Sequence, residues 1–355
     1  MPITECLGLQ IAKVLLVTCL GLVYTLYSVA FSVLFLRKMS GKVAPPVPVR
    51  AQKKSRAVAA GPPPKPFSDE TMTFLYKASG VLGLASLLTQ TVMSDAAWGT
   101  TLRTAFFYTA TFASYVRCAR LPAAFTKAIH PLLTSTVVVW GLLYVFGVAT
   151  GSSDFIESLK TYKTSSLAWN VAGAGDILLF CLGPSVVSFA VSMYSRKKLL
   201  VENFLIVVAA MLVSSFGGLF GTAAFTNLIR LGGSSGNALM IRLSMLARNI
   251  TTSLAIPVTT ILGGDISIAV VVVVLTGIFG AQFGRKLLDL VNIQDPITRG
   301  LAVGSAAQGL GVSSMASEAD AFPFAAMAMA LTAVAGTILV AIPDIKAAVI
   351  STCGN

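Results

Sequence analysis

From Ile266 to Gly284 the chain reads ISIAVVVVVLTGIFGAQFG, without a single charge, and Arg285 and Lys286 follow at once. A helix needs about 20 mostly apolar residues to cross the hydrocarbon core of a bilayer, and this run has that length. It is not alone. PLLTSTVVVWGLLYVFG from Pro131, the stretch from Val201 to Leu231 and the stretch from Ala321 to Ile342 have the same character. Only 11% of the residues are charged, and mean hydropathy is +0.82; a soluble domain carries about a quarter charged residues. The chain is therefore expected to be a polytopic membrane protein. Lipid offers no partner to a backbone N–H or C=O, so only helices or a closed barrel can span it. The apolar runs are unbroken rather than alternating, which selects helices.

The net charge of +12 comes from 26 Lys and Arg against 14 Asp and Glu. The basic residues fall in short clusters between apolar runs: Arg37–Lys65, Arg117–Lys127, Arg196–Lys198 and Arg285–Lys286. That is the pattern of topology signals, not of a nucleic-acid surface. The five cysteines show no CxxC, so neither a disulfide framework nor a metal site is expected, and no cofactor. The one histidine, His130, excludes histidine-based triads; before Pro131 it reads as a helix cap. Asp176 and Asp265, each following glycines and opening an apolar run, read as N-caps, and Glu318 and Asp320 as loop charges. No paired-carboxylate, triad or phosphate-loop arrangement occurs, so the chain is not expected to be an enzyme.

Along the chain, residues 1–36 read as a retained first span rather than a signal peptide. Residues 37–70 read as a basic, proline-rich linker able to touch anionic headgroups, and 71–98 as a second span. Residues 99–350 read as one transport domain with two inverted repeats, 131–231 and 265–343. The whole is an all-α polytopic membrane protein with about nine to eleven membrane segments. Each repeat has a weak centre. LGPSVVSFAV carries Gly183 and Pro184 with Ser185 and Ser188; AQGLGVSSMA carries Gln308, Gly309 and Gly311 with Ser313 and Ser314. Proline removes a donor and clashes with the preceding turn, and glycine lets a helix unwind. Broken helices that meet in a wet cavity are a transporter device, and their freed N–H groups suit a small anion. The charge pattern further requires Asn237–Gly264 to begin and end on one side, as a re-entrant segment or a short hairpin.

Within that segment, Arg248 stands beside Asn249, Thr251 and Thr252 in an apolar setting. A cation inside a membrane is costly, and its planar fork matches a carboxylate. Arg242, nearer a loop, is the weaker candidate.

Four blocks carry a resemblance: GDILLFCLGPSVVSFAVSMYSRKKLL, LARNITTSLA, LTGIFGAQFGRKLLDLVNIQDPITRGLA and AAQGLGVSSMASEADAFPFAAMAMALT. Over roughly Thr100 to Ile342 the sequence resembles the LrgB/CidB family of membrane proteins, its plant plastidial branch in particular. Residues 1–93 are similar to a shortened LrgA-like half. The resemblance implies an elevator-like carrier of small 2-hydroxy or 2-oxo monocarboxylates such as glycolate, glycerate or pyruvate. It also implies coupling to protons or to a counter-substrate, a homodimer, and an organelle inner membrane. Holin-like modulation of murein hydrolases, or a channel, is the alternative within the family. One departure stands out: where the family has a histidine in an AHGLGT-like motif, this chain has Gln308, which cannot carry a proton near neutral pH.

Overall fold

The apolar runs are helices in the computed structural model, which describes residues 9–41, 68–92, 98–122, 125–126, 129–151, 154–181, 183–184, 187, 191, 194, 197–233 and 236–354. Most of the expected linker lies outside these residues, as do Ser185 and Ser188. Among the described residues there are no strands, and six helices are long and apolar enough to cross a membrane. The protein is a multi-pass membrane protein. The sequence expectation of nine to eleven segments had also counted stretches that differ in kind. Gly99–Ala119 is interrupted by threonines and arginine, Thr252–Leu262 is short, and Pro296–Ser314 turns back on itself. The chain divides into two units, Arg50–Val186 and a second made of Met1–Val49 with Val187–Asn355.

In describing them, α1 is Leu9–Met39, α2 Asp69–Thr91, α3 Gly99–Ala119, α4 Pro131–Ala149, α5 Phe155–Tyr162, α6 Ala174–Phe180 and α7 Lys197–Glu202. The remaining helices are α8 Phe204–Leu228, α9 Ala238–Ser244, α10 Thr252–Leu262, α11 Ile266–Leu290, α12 Pro296–Ser314, α13 Phe322–Ala341 and α14 Pro343–Cys353.

The Arg50–Val186 unit packs α3 against α2 and α4 around Phe107, Val139, Leu143 and Phe146. Phe107 meets Phe146 edge to face at 5.3 Å, the offset that opposed ring quadrupoles favour. His130 caps α4: its Nδ1 accepts from the Leu132 amide, and Pro131 follows at the first helical position. Asp176 does more than cap α6. Its carboxylate accepts from Gly173 N, Thr164 N, Thr164 Oγ1 and Ser165 N, binding the 164–173 loop to the helix start.

In the other unit α1 packs against α8, α11 and α12, burying Leu22, Leu26, Val29, Ala30 and Val33. Helices α12 and α13 approach at backbone distance: a Cβ on Gly304 would lie 2.7 Å from Ala325 Cα, so no other residue fits there without movement. Asp265 caps α11 through the Ile268 amide.

Two segments of this unit fold back. At Gln308 the backbone turns to φ 53°, ψ −145°, and α12 reverses. A Cβ on Gly311 would lie 3.2 Å from the Val303 carbonyl oxygen; eight residues of straight helix would separate them by about 12 Å. At the open end Arg299 grips Glu318 with two bonds of 2.9 Å and Asp289 with one of 2.6 Å. Glu318 is a loop charge as expected, and the fold makes it half of a partly buried bidentate pair. Arg37 likewise leaves the topology cluster for a buried ion pair, 2.9 Å from Asp295. The second fold-back runs through α9, a tight turn over 245–251 and α10. The Asp265 amide donates to Ser244 Oγ at 2.7 Å, so the chain returns to where α9 ended. Arg242 staples this region: it donates to Leu231 O, Asn227 Oδ1 and Cys353 O.

Candidate functional site

The two fold-backs meet at their tips. The Gln308 side-chain amide donates to the backbone carbonyl of Arg248. That carbonyl is free because the 245–251 turn has no regular helical ladder; its short bonds, Arg248 N to Met245 O and Ile250 N to Ala247 O, span three residues. Each break thus supplies what the other lacks, an acceptor on one side and a donor on the other.

From the same turn the Arg248 side chain runs between α1 and α8 and is fully buried. Nε donates to Thr222 Oγ1 at 2.9 Å and Nη2 to Thr25 Oγ1 at 2.8 Å, while Nη1 has no partner. Among the described residues Arg248 makes no ion pair. Room for the guanidinium exists only because residue 21 has no side chain: a Cβ there would lie 2.6 Å from the guanidinium carbon. Beside it lies a cavity of about 240 Å³, lined by Val17, Leu20, Gly21 and Tyr24 of α1, Gly221, Thr222 and Phe225 of α8, and Arg248. A largely apolar chamber with one cation and a few hydroxyls orients an anion by its charged end and selects it by size.

Asn249 points the other way. Its amide donates to Ser214 O at 3.1 Å and rests against Gly218, where a Cβ would lie 2.6 Å from Nδ2. Beyond it, Ser214 and Thr332 share a hydrogen bond of 2.6 Å, and Thr332 reaches Ser305 at 3.4 Å. This string of hydroxyls ties α8, α12 and α13 together alongside their apolar packing.

The remaining residues singled out from the sequence are placed as follows. Thr251 and Thr252 are half-buried at the start of α10. Gly309 and Gly311 follow the reversal at Gln308. Ser313 and Ser314 spend their hydroxyl protons on Leu310 O and Gly311 O and offer nothing to Arg248. Gly183 and Pro184 are helical and exposed, and belong to the Arg50–Val186 unit; Ser185 and Ser188 lie outside the described residues. Within its own unit, then, the break at Gln308 is partnered by the Arg248 turn. Sequence reasoning missed Gly21, Tyr24, Thr25 and Thr222. Their one signal is a hydroxyl or a glycine in an apolar run, which Thr18, Thr226 and Thr276 share while merely bonding carbonyls of their own helices.

The profile of the LrgB-like family matches residues 111–343. Over 312 residues the chain is 31% identical to the Arabidopsis thaliana protein named plastidal glycolate/glycerate translocator 1, chloroplastic; the alignment takes in 87% of this chain and 59% of that relative. The chain thus spans about three-fifths of that relative's length. No solved structure matches it.

Proposed function

Because the chain belongs to the LrgB-like family, which is not an enzyme family, we propose that it carries small organic anions across a membrane by alternating access. The observation that carries this reading is Arg248, a fully buried cation on a cavity wall with no carboxylate paired to it among the described residues. Removing a charge from water without a partner is costly, and a protein keeps such a group where something else supplies the opposite charge. A carboxylate entering the cavity does so, and its two oxygens match two parallel N–H groups of the guanidinium.

The Arabidopsis relative's name points to glycolate and glycerate; we extend the class to other small 2-hydroxy or 2-oxo monocarboxylates, which offer the same carboxylate to Arg248. An organelle inner membrane is the proposed setting. Movement is assigned to the two fold-backs, whose tips are joined by one side-chain hydrogen bond and can part without unravelling either arm. The finer elevator-like picture takes the unit holding Arg248 as the moving body. Gln308 does not titrate, so exchange against a counter-substrate is preferred to proton coupling at that position.

Counterflow in proteoliposomes tests the reading. Preloaded glycolate is expected to drive saturable uptake of labelled glycolate or glycerate, and Arg248→Ala to abolish it in protein that still elutes as a folded species. Leakage of an uncharged dye without saturable uptake would support bilayer perturbation instead.

A further inference from the structure

The family profile begins at residue 111, yet half of the cavity wall comes from α1. Its contribution follows one helical stripe, Val17, Leu20, Gly21 and Tyr24, with Thr25 beside it. We infer that α1 is a wall of the anion site and not an anchor alone, and that Thr25 is a positioning residue in it, holding the Arg248 guanidinium through Nη2 while Nη1 is left without a protein partner. The inference rests on the reading of Arg248 as the anion's partner.

The geometry of the guanidinium carries the argument. It has five N–H bonds: one on Nε and two on each Nη. Thr222 takes the Nε bond and Thr25 one of the two on Nη2, so the Nε–Nη2 edge is spent. What is left is the second Nη2 bond and both Nη1 bonds; one bond from each nitrogen makes the Nη1–Nη2 edge, and the other Nη1 bond points back toward Cδ. That end-on edge is the one a carboxylate can meet with both oxygens.

The hydroxyls have a second use. Thr18, Thr226 and Thr276 donate to Val14 O, Ala223 O and Val272 O, the usual bond of a threonine in an apolar helix. Thr25 and Thr222 make no such bond among the described residues. Each accepts from a cation and keeps its own proton, which that bond polarises toward a further acceptor. On the cavity wall the polar side chains are Arg248, Thr222 and Tyr24, and Thr25, buried and off the wall, acts through its bond to Nη2. Gly21, one turn before Thr25, is what lets α1 come this close.

The test is the affinity of the full chain in detergent for glycolate, glycerate and pyruvate, by titration calorimetry. Thr25→Val is expected to raise the dissociation constant of the tightest of the three about tenfold per folded protein, the worth of a hydrogen bond to a charged group. Thr25→Ser is expected to recover it, and Thr18→Val, on the same helix, to bind as the parent does. An unchanged constant for Thr25→Val, with only a lowered melting temperature, makes Thr25 a structural staple and overturns the inference. Binding that responds as expected, without saturable uptake in liposomes, overturns the carrier reading and leaves Thr25 in place. No binding of any of the three to the parent chain overturns both.

Discussion

Gln308 and Arg248, sixty residues apart in sequence, are joined where two reversals of the chain touch: the amide of one side chain donates to the main-chain carbonyl of the other. Both residues are buried, so neither group has water to fall back on. The bond is the join between the folded-back α12 and the turn that launches the cavity's cation.

Replacing Gln308 by leucine keeps the bulk and removes the donor. The Arg248 carbonyl is then buried without a partner, at a cost of about 1–3 kcal/mol. Gln308→Leu is expected to lower thermal stability in detergent and to slow uptake, and Gln308→Asn, which keeps an amide, to do less harm. Equal stability of the two variants would remove the role given to the bond.

Gly21→Ala is the smallest change that reaches the guanidinium. The new methyl would overlap Nε and Cζ, so the side chain has to leave its threonine partners or α1 has to move. Loss of uptake and of glycolate binding is expected. Gly80→Ala is the control, since nothing lies within 4 Å of its Cβ position. On helix propensity alone that change is neutral or stabilising by up to about 1 kcal/mol.

The open end of the α12 fold-back is held by Arg299. Glu318→Ala strands a buried arginine with Asp289 and the Ile293 carbonyl as its remaining partners. Breaking a buried pair from one side costs about 3–5 kcal/mol, and Glu318→Gln, which keeps one acceptor, is expected to cost less. Hydrogen exchange should show faster opening of 296–318 than of α8. Uniform acceleration over the whole chain would argue against a local clamp.

The single histidine gives an unambiguous pH probe. Burial pushes the His130 pKa below the ordinary imidazole value, and its Nδ1 acts as an acceptor. The folded-state pKa thus lies below the unfolded one. The capping contribution, about 1 kcal/mol, is present above the unfolded pKa near 6.5 and is lost as pH falls from there through the folded value. A proton NMR titration of the His130 ring should give a depressed midpoint, and His130→Asn should keep the cap while removing the pH dependence.

Much of this was legible in the sequence because lipid is an unforgiving solvent. An uncharged run such as Ile266–Gly284 has few alternatives to a helix, and His130-Pro131 and Gly264-Asp265 mark helix starts by local chemistry. The break near Gln308 and the isolation of Arg248 were legible for the same reason: glycines and a cation are out of place in lipid. What the sequence hid was partnership. Arg37 reads as a topology charge and Glu318 as a loop charge until the fold pairs them with Asp295 and Arg299, and Thr25 looks like any threonine in an apolar helix until Gly21 admits a guanidinium beside it. Pairings across sixty or two hundred residues leave no local pattern to read.

The most direct measurement is a distance between Arg248 and a bound acid. With arginine guanidinium nitrogens labelled in ¹⁵N and glycolate labelled in ¹³C at its carboxylate, magic-angle-spinning dipolar recoupling on the liposome-reconstituted protein reads that contact. The account predicts a coupling corresponding to a separation of about 4 Å or less, present in the parent chain and absent in Arg248→Lys. Bound glycolate with no such coupling, or a coupling that survives the replacement of Arg248, would contradict it.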